Sequence, residues 1–364
     1  MNELSFPLLG WLTDLEGVRF NLASSSVKAR SLSELGSIGK DMVLGYPEDE
    51  LEERVEKRIA KTYEADVYTA VTPGAQAANS LVFDVLLEQG DEVLVEDPAY
   101  TPLQTAPALK GLKVKYFKRR YEDGFELDIK KIKETCSSDT RMIVITNPHN
   151  PSGVFQRPKD LQELDSFIEE NDIYLLVDEI YRDFVKGGRS SAFISNNVIV
   201  TSSLSKVYGL GGLRFGWAAS KDEELIADIK TIKSHLCPNN PTITLEMGLK
   251  ALEERDRYLS SARETADKGR SLARGWIKGT SEVEWVEPSS GIISFPRLKM
   301  DIDGEEFAKR AKEAGVLVAP GSYFSHDGDF DSHIRLTFGK DFTSVVQGFQ
   351  QLSKIVQNMS DENL

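Results

Sequence analysis

Residues 201–217 set three serines, Ser202, Ser203 and Ser205, a lysine, Lys206, several glycines and an arginine, Arg214, between two short apolar runs at 197–200 and 216–219. Each apolar run reads as a buried strand. Hydroxyls beside a guanidinium suit a phosphate, because the hydroxyls donate and the guanidinium offers a bidentate fork. A lysine next to them on a turn suits a Schiff base to a carbonyl group. The plainer alternative is a surface turn with a solvated lysine, and this stretch by itself favours it.

Other segments supply what such a site would need. Asp178 follows the apolar run 173–177, where an unpaired carboxylate is costly and calls for a cationic partner. A protonated ring nitrogen would serve; capping of the next helix is the alternative. Tyr181, three residues on, could donate to a phenolate oxygen, or simply pack. Asn150, between Pro148 and Pro151, could hydrogen-bond a ring oxygen, although Asn, Pro, Ser and Gly are also ordinary turn residues. The two X-Pro bonds here allow a cis peptide. Gly74, Ala75 and Gln76 open a helix whose N–H groups could meet a phosphate, with small residues permitting close approach. Tyr100 could stack on a flat ring. Arg335, inside the apolar run 333–338, needs a partner, either a substrate carboxylate or an internal acid.

The elements that carry these residues alternate. Leu51, Val55, Ile59 and Tyr63 recur every four residues and predict an amphipathic helix. Strands are expected at 67–72, 93–95, 113–117, 142–145, 173–177, 197–200 and 216–219, with helices at about 74–87, 158–170 and 222–236. The strands are continuous apolar runs, the mark of a mainly parallel sheet covered by helices on both faces. Ligands gather at the carboxyl ends of such strands. The polar clusters at Thr72, Asn150, Asp178 and Ser203 each follow a strand and should therefore converge. After about 222 the pattern changes. Charged helices run to about 278, then strands at 282–287, 291–295, 315–319 and 333–338, a helix at 304–314 and a last one at 342–357. The expectation is an α/β large domain at 45–255 and a smaller α+β domain made of 1–44 and 256–364.

The chain has 364 residues, 40% hydrophobic and 28% charged, with a formal charge of −14. That balance argues against a nucleic-acid partner, which needs a basic face, and against anionic membrane surfaces. Two separated cysteines, Cys136 and Cys237, give neither a disulfide framework nor metal spacing. With no signal-like start and no apolar run long enough to cross a bilayer, a cytoplasmic setting is the default. The 326–333 segment carries metal-like residue types without calcium-loop spacing and reads as an acidic surface turn. No metal site is expected.

Taken in order, these residues resemble the class I/II aminotransferases, fold-type I enzymes that use pyridoxal 5'-phosphate. Ser203-x-Ser205-Lys206 with Arg214 and Gly216 is similar to that family's lysine signature, Asn150-Pro151-Ser152-Gly153 to its turn, and Asp178-x-x-Tyr181 to its acidic element. The resemblance implies that Lys206 forms the internal aldimine and shuttles the proton through a pyridoxamine intermediate, and that Asp178 pairs with the pyridine nitrogen. It implies that Asn150 and Tyr181 bond the ring hydroxyl oxygen, and that Gly74, Ala75, Gln76, Ser203, Ser205 and Arg214 surround the phosphate. Tyr100 would stack on the ring, Arg335 would take the substrate α-carboxylate, and Asn150 would be a further substrate-binding residue. Tyr46, in Gly45-Tyr46-Pro47, resembles a tyrosine that reaches the phosphate of a neighbouring subunit, which implies a homodimer with shared sites. The substrates implied are an L-amino acid and a 2-oxo acid, commonly 2-oxoglutarate.

Two departures stand out. The family's glycine-containing arm loop corresponds here to Leu22-Ala23-Ser24-Ser25-Ser26, and the stretch Ser234–Cys237 ahead of Asn240-Pro241 lacks the arginine of some dicarboxylate-specific members. The rival readings are a β-eliminating lyase on the same scaffold and a non-catalytic regulator. The arm before Tyr46 is too short and not basic enough for the DNA-binding module a regulator would carry.

Overall fold

The computed structural model describes residues 6–36, 42–63 and 65–362. Seven strands form its main sheet: β1 (Tyr68–Thr72), β2 (Glu92–Asp97), β3 (Lys113–Lys118), β4 (Thr140–Thr146), β5 (Tyr174–Asp178), β6 (Val198–Ser203) and β7 (Gly216–Ser220). Their spatial order is β1-β7-β6-β5-β4-β2-β3. Neighbours are parallel except β7, which runs antiparallel to both β6 and β1. The sheet is thus mainly parallel, and its strands are buried on both faces as their unbroken apolar composition requires.

Alternate residues serve opposite faces. Ile143, Ile145, Leu175, Val177, Val198 and Val200 join one core cluster; Met142, Val144, Leu176 and Ile199 join another beneath helices Ala75–Leu86 and Glu223–Leu236. Each such side chain contributes roughly 1.5–3 kcal/mol by burial. The helix expected from Leu51 runs Asp49–Ala60, with Leu51, Val55 and Ile59 buried. The helix expected at 158–170 is instead two α-helical pieces, Pro158–Leu161 and Asp165–Glu170, joined by a 3₁₀ turn at Gln162–Leu164. The tighter turn keeps Leu161, Leu164 and Ile168 all fully buried.

The chain's C-terminal part builds a second core around Trp276, Phe307, Val316, Ile334 and Leu352, which Leu22 of the arm joins. Phe20 and Asn21 pair in parallel with Val316 and Leu317. The strands expected at 282–287 and 291–295 shrink to Val283–Glu284 and Ile293–Ser294, and a further strand, Arg297–Leu298, was not foreseen. Pro288 and Pro296 interrupt this region, since proline cannot donate to a ladder. The final helix extends to Glu362.

Residues 22–30 form a strap between these two bodies. Leu22 N donates to Leu317 O and Thr337 N to Leu22 O, while Val27 N donates to Lys206 O and Arg30 N to Gly209 O. The strap therefore crosses directly above the lysine loop.

Candidate active site

The ends of β1, β2, β4, β5 and β6 meet at one edge of the sheet, and the polar clusters expected to converge do so around a cavity of about 150 Å³. Ala75, Gln76, Tyr100, Asn150, Asp178, Tyr181, Ser203, Ser205, Lys206 and Arg214 line it, joined by Ser25, Thr146 and Ile180.

One end of the cavity is a cradle for an anion. Gly74, at φ +95°, precedes the helix Ala75–Leu86, whose first residues Ala75 and Gln76 line the cavity and whose first N–H groups have no partner within the helix. A Cβ on Gly74 would come against the Arg214 guanidinium. Arg214 itself has φ +51°, and its guanidinium donates to Gly211 O at 3.1 Å and Pro73 O at 3.4 Å. Ser203 Oγ accepts from Ser205 N at 3.1 Å. Gln76 Oε1 is buried without a hydrogen-bond partner. Amide donors, two hydroxyls, a guanidinium and room left by glycine are the donor set a phosphate requires.

At the cavity's centre, Lys206 Nζ lies 3.1 Å from Ser25 Oγ. Burial, then the Arg335 charge, lower the lysine pKa to about 8, against the pull of Asp178. Asp178 accepts from Ile180 N at 3.1 Å and from Asn79 Nδ2 at 3.4 Å. Burial raises its carboxyl to about 6 all the same. This is a carboxylate in want of a cation, as a protonated ring nitrogen would be. The residues present fit pyridoxal phosphate at both ends, phosphate and ring.

Arg335 is 1% exposed. Its Nη1 donates to Asn150 Oδ1 at 3.1 Å, its Nη2 to Ala23 O at 2.6 Å, and its Nε has no partner. No internal carboxylate pairs with it among the described residues, so it keeps capacity for a ligand's. Tyr181 donates to Ser25 O at 3.2 Å, and burial raises its phenol to about 12. Tyr100 is partly buried and meets Phe6 edge-on at 5.8 Å. Tyr46 is 87% exposed and contributes nothing to this chain's own cavity.

Several supporting residues escaped the sequence. Thr201 Oγ1 donates to Asn79 Oδ1 at 2.5 Å, so Asn79 is fixed with its amide toward Asp178. Its signal was a polar residue on the otherwise apolar buried face of Ala75, Ala78 and Val82. Glu96 accepts from Arg119 Nη1 at 2.9 Å and Thr146 N at 2.6 Å, and pins the end of β4. His149 bonds Ser152 Oγ and Pro98 O, each at 2.7 Å, linking the Asn150 turn to the Tyr100 segment. The Asn147–Pro148 bond is cis, as is Asp97–Pro98. In the 326–333 turn, Asp327 and Asp329 pair with Lys118. No group of three or more His, Cys, Asp or Glu among the described residues could hold a metal ion.

Comparison with known proteins agrees with this geometry. The family model for aminotransferase class I and II matches residues 25–345. An aspartate aminotransferase of Sulfolobus acidocaldarius is 25% identical over 330 residues, covering 86% of this chain and 82% of the relative. The capreomycidine synthase of Streptomyces vinaceus is 29% identical over 258 residues, 70% of this chain and 66% of that one. A solved pyridoxal-phosphate-dependent aminotransferase from Streptococcus suis superposes with a TM-score of 0.90 at 26% identity, covering 99% of each chain. The chain belongs to the class I and II aminotransferases, and it is a pyridoxal-phosphate-dependent enzyme of fold type I.

Proposed function

We propose that this enzyme moves the amino group of an L-amino acid to 2-oxoglutarate, with the residues named above in definite roles. The observation that carries the reading is the convergence of Lys206, Asp178 and Arg335 on one buried cavity. When bound, pyridoxal phosphate supplies an electron sink that stabilises negative charge at the substrate α-carbon. Lys206 would hold the cofactor through its amine, and its lowered pKa suits that amine to take up and return the proton of the substrate α-carbon. Asp178, oriented by Asn79, keeps the ring nitrogen protonated. Asn150 and Tyr181 would hold the ring through its hydroxyl oxygen, and Tyr100 would supply an aromatic face to it. Gly74, Ala75, Gln76, Ser203, Ser205 and Arg214 hold the phosphate. Arg335, steadied by Asn150, binds the substrate α-carboxylate and so aims the α-hydrogen at Lys206.

The exposed Tyr46 completes the phosphate site of a second copy, which makes the working unit a homodimer. The described residues of 45–255 make up the cofactor-binding domain, and those of 1–44 and 256–364 the smaller one; a cytoplasmic setting belongs to the same proposal. Aspartate is the first donor to try, since the relative from Sulfolobus acidocaldarius bears that name.

The test is to add single amino acids to the purified holoenzyme with no acceptor present. A donor should bleach the cofactor's visible band, and a 2-oxo acid should restore it. Ammonia released while the band persists would instead establish a lyase. Lys206→Ala should abolish both the lysine-bound band and turnover; turnover retained at more than about 1% would defeat the assignment.

A further inference from the structure

Two lysines reach adjacent hydroxyls of the strap. Lys206 Nζ contacts Ser25 Oγ at 3.1 Å, and Lys340 Nζ contacts Ser26 Oγ at 3.2 Å and Val27 O at 3.4 Å. We infer that Lys340 is a positioning residue for Lys206: its ammonium ties the strap down at Ser26 and Val27 and so holds Ser25 against the lysine amine. The inference rests on Lys206 being the cofactor-bearing lysine, as proposed above.

The strap's contacts explain why a tie is needed there. Ala23 O receives Arg335, Ser25 O receives Tyr181, and Ser25 Oγ meets Lys206, so the strap touches three groups of the site, two through backbone carbonyls and one through a hydroxyl. Asn21 Oδ1 fixes the strap's near end by accepting from Ala23 N and Ser24 N. Val27 N donates to Lys206 O. Between these anchors, Ser26 is held by Lys340.

Lys340 is free to do this because nothing else claims it. No carboxylate pairs with it among the described residues. The charged groups around it are Lys28, Arg30 and Glu34 from the strap side, Glu264 and Lys268 from the helix Arg255–Lys278, and Asp341 beside it. Arg30 pairs with Glu34 at 3.2 Å and Lys268 with Glu264 at 2.6 Å, which leaves those acids occupied. Burial lowers the Lys340 pKa to about 8. Its charge is also felt at Lys206, beside those of Arg335, Arg214 and Asp178. A cation there disfavours a proton on the neighbouring nitrogen.

The experiment compares Lys340→Met, Lys340→Arg and Ser26→Ala. In each holoenzyme the pH midpoint of the cofactor's visible band is measured, together with hydrogen-exchange protection of residues 22–30. Removing the charge should raise the midpoint for Lys340→Met by roughly 0.5–1 unit, because the lysine nitrogen then keeps its proton to higher pH. Protection of the strap should fall as well. Lys340→Arg should keep the wild-type midpoint. Ser26→Ala should loosen the strap while the midpoint stays near that of the wild type, separating the tie from the charge. An unmoved midpoint and unchanged protection in Lys340→Met would overturn the inference. Should that variant fail to fold, unchanged protection in Ser26→Ala would overturn it equally. A wild-type protein with no pH-sensitive visible band would mean that the cofactor assignment had failed instead.

Discussion

A Cβ built on Gly216 would lie 2.3 Å from the carbonyl carbon of Gly74 and 2.5 Å from Ala75 N. The first residue of β7 thus packs directly under the turn that opens the phosphate cradle, and the obstructing atoms are backbone, which cannot swing aside. Gly216→Ala should therefore cost about 1–3 kcal/mol of stability by overpacking and weaken cofactor binding at least about tenfold. Gly74→Ala meets the side-chain end of Arg214 rather than backbone, and its main cost is the positive-φ, extended-ψ conformation that only glycine adopts readily, about 1–3 kcal/mol. It should spare the fold more than the cradle. Denaturant midpoints and spectral titration with cofactor distinguish the two, and equal effects on both measures would contradict this account.

The lysine amine is the nucleophile only when unprotonated. With its pKa lowered to about 8, the cofactor-free protein should capture pyridoxal phosphate faster as pH rises, reaching half its limiting rate near pH 8 and levelling about one unit above. A rate that keeps climbing to about pH 10, as for a solvated lysine, would show that burial and Arg335 have no such influence.

Asp178 is a buried carboxylate whose charge costs the fold stability. Its folded pKa, about 6, lies above the ordinary 3.8, so the folded state binds the proton more tightly. Stability of the cofactor-free protein should consequently fall as pH climbs from about 4 to about 6 and stay lowered above that range. Asp178→Asn removes the buried charge. At pH 8 it should stabilise the cofactor-free protein by up to about 3 kcal/mol while abolishing turnover. Urea unfolding at pH 5 and pH 8 checks the sign; a variant less stable than wild type at pH 8 would reverse it.

Arg335 holds two hydrogen bonds with a free Nε, and removing a buried charged partner costs about 2–4 kcal/mol. Arg335→Lys should lower kcat/KM by roughly 30- to 1,000-fold, mostly through KM for both amino acid and 2-oxo acid. It should hardly affect an amine lacking the α-carboxylate. Steady-state kinetics with paired substrates, with and without that carboxylate, test this; an equal loss for both would place Arg335 elsewhere in the reaction.

Much of the site was legible because its chemistry sits at strand ends. Asp178, Ser203 and Asn150 follow apolar runs too continuous to be anything but buried strands, and the topology of such sheets brings their ends together. What stayed hidden depends on contacts between distant segments. Asn79 meets Thr201 and Asp178 only through packing of a helix on the sheet. Ser25 meets Lys206 across 181 residues, and nothing local marks one serine in a run of three. The reversed direction of β7 was equally invisible, since a short apolar run carries no sign of its orientation.

That reversal has a mechanical meaning. Because β7 returns beside β6, Lys206 and Arg214 lie on a loop whose neck is closed by Leu204 N to Phe215 O and by the ladder from Ile199 to Ser203. Cutting the chain inside this loop would leave both stumps zipped into the same sheet. Lys206 and Arg214 would then belong to different polypeptides, each anchored by the strand beside it, so one wall of the cavity could be assembled from two chains as well as from one.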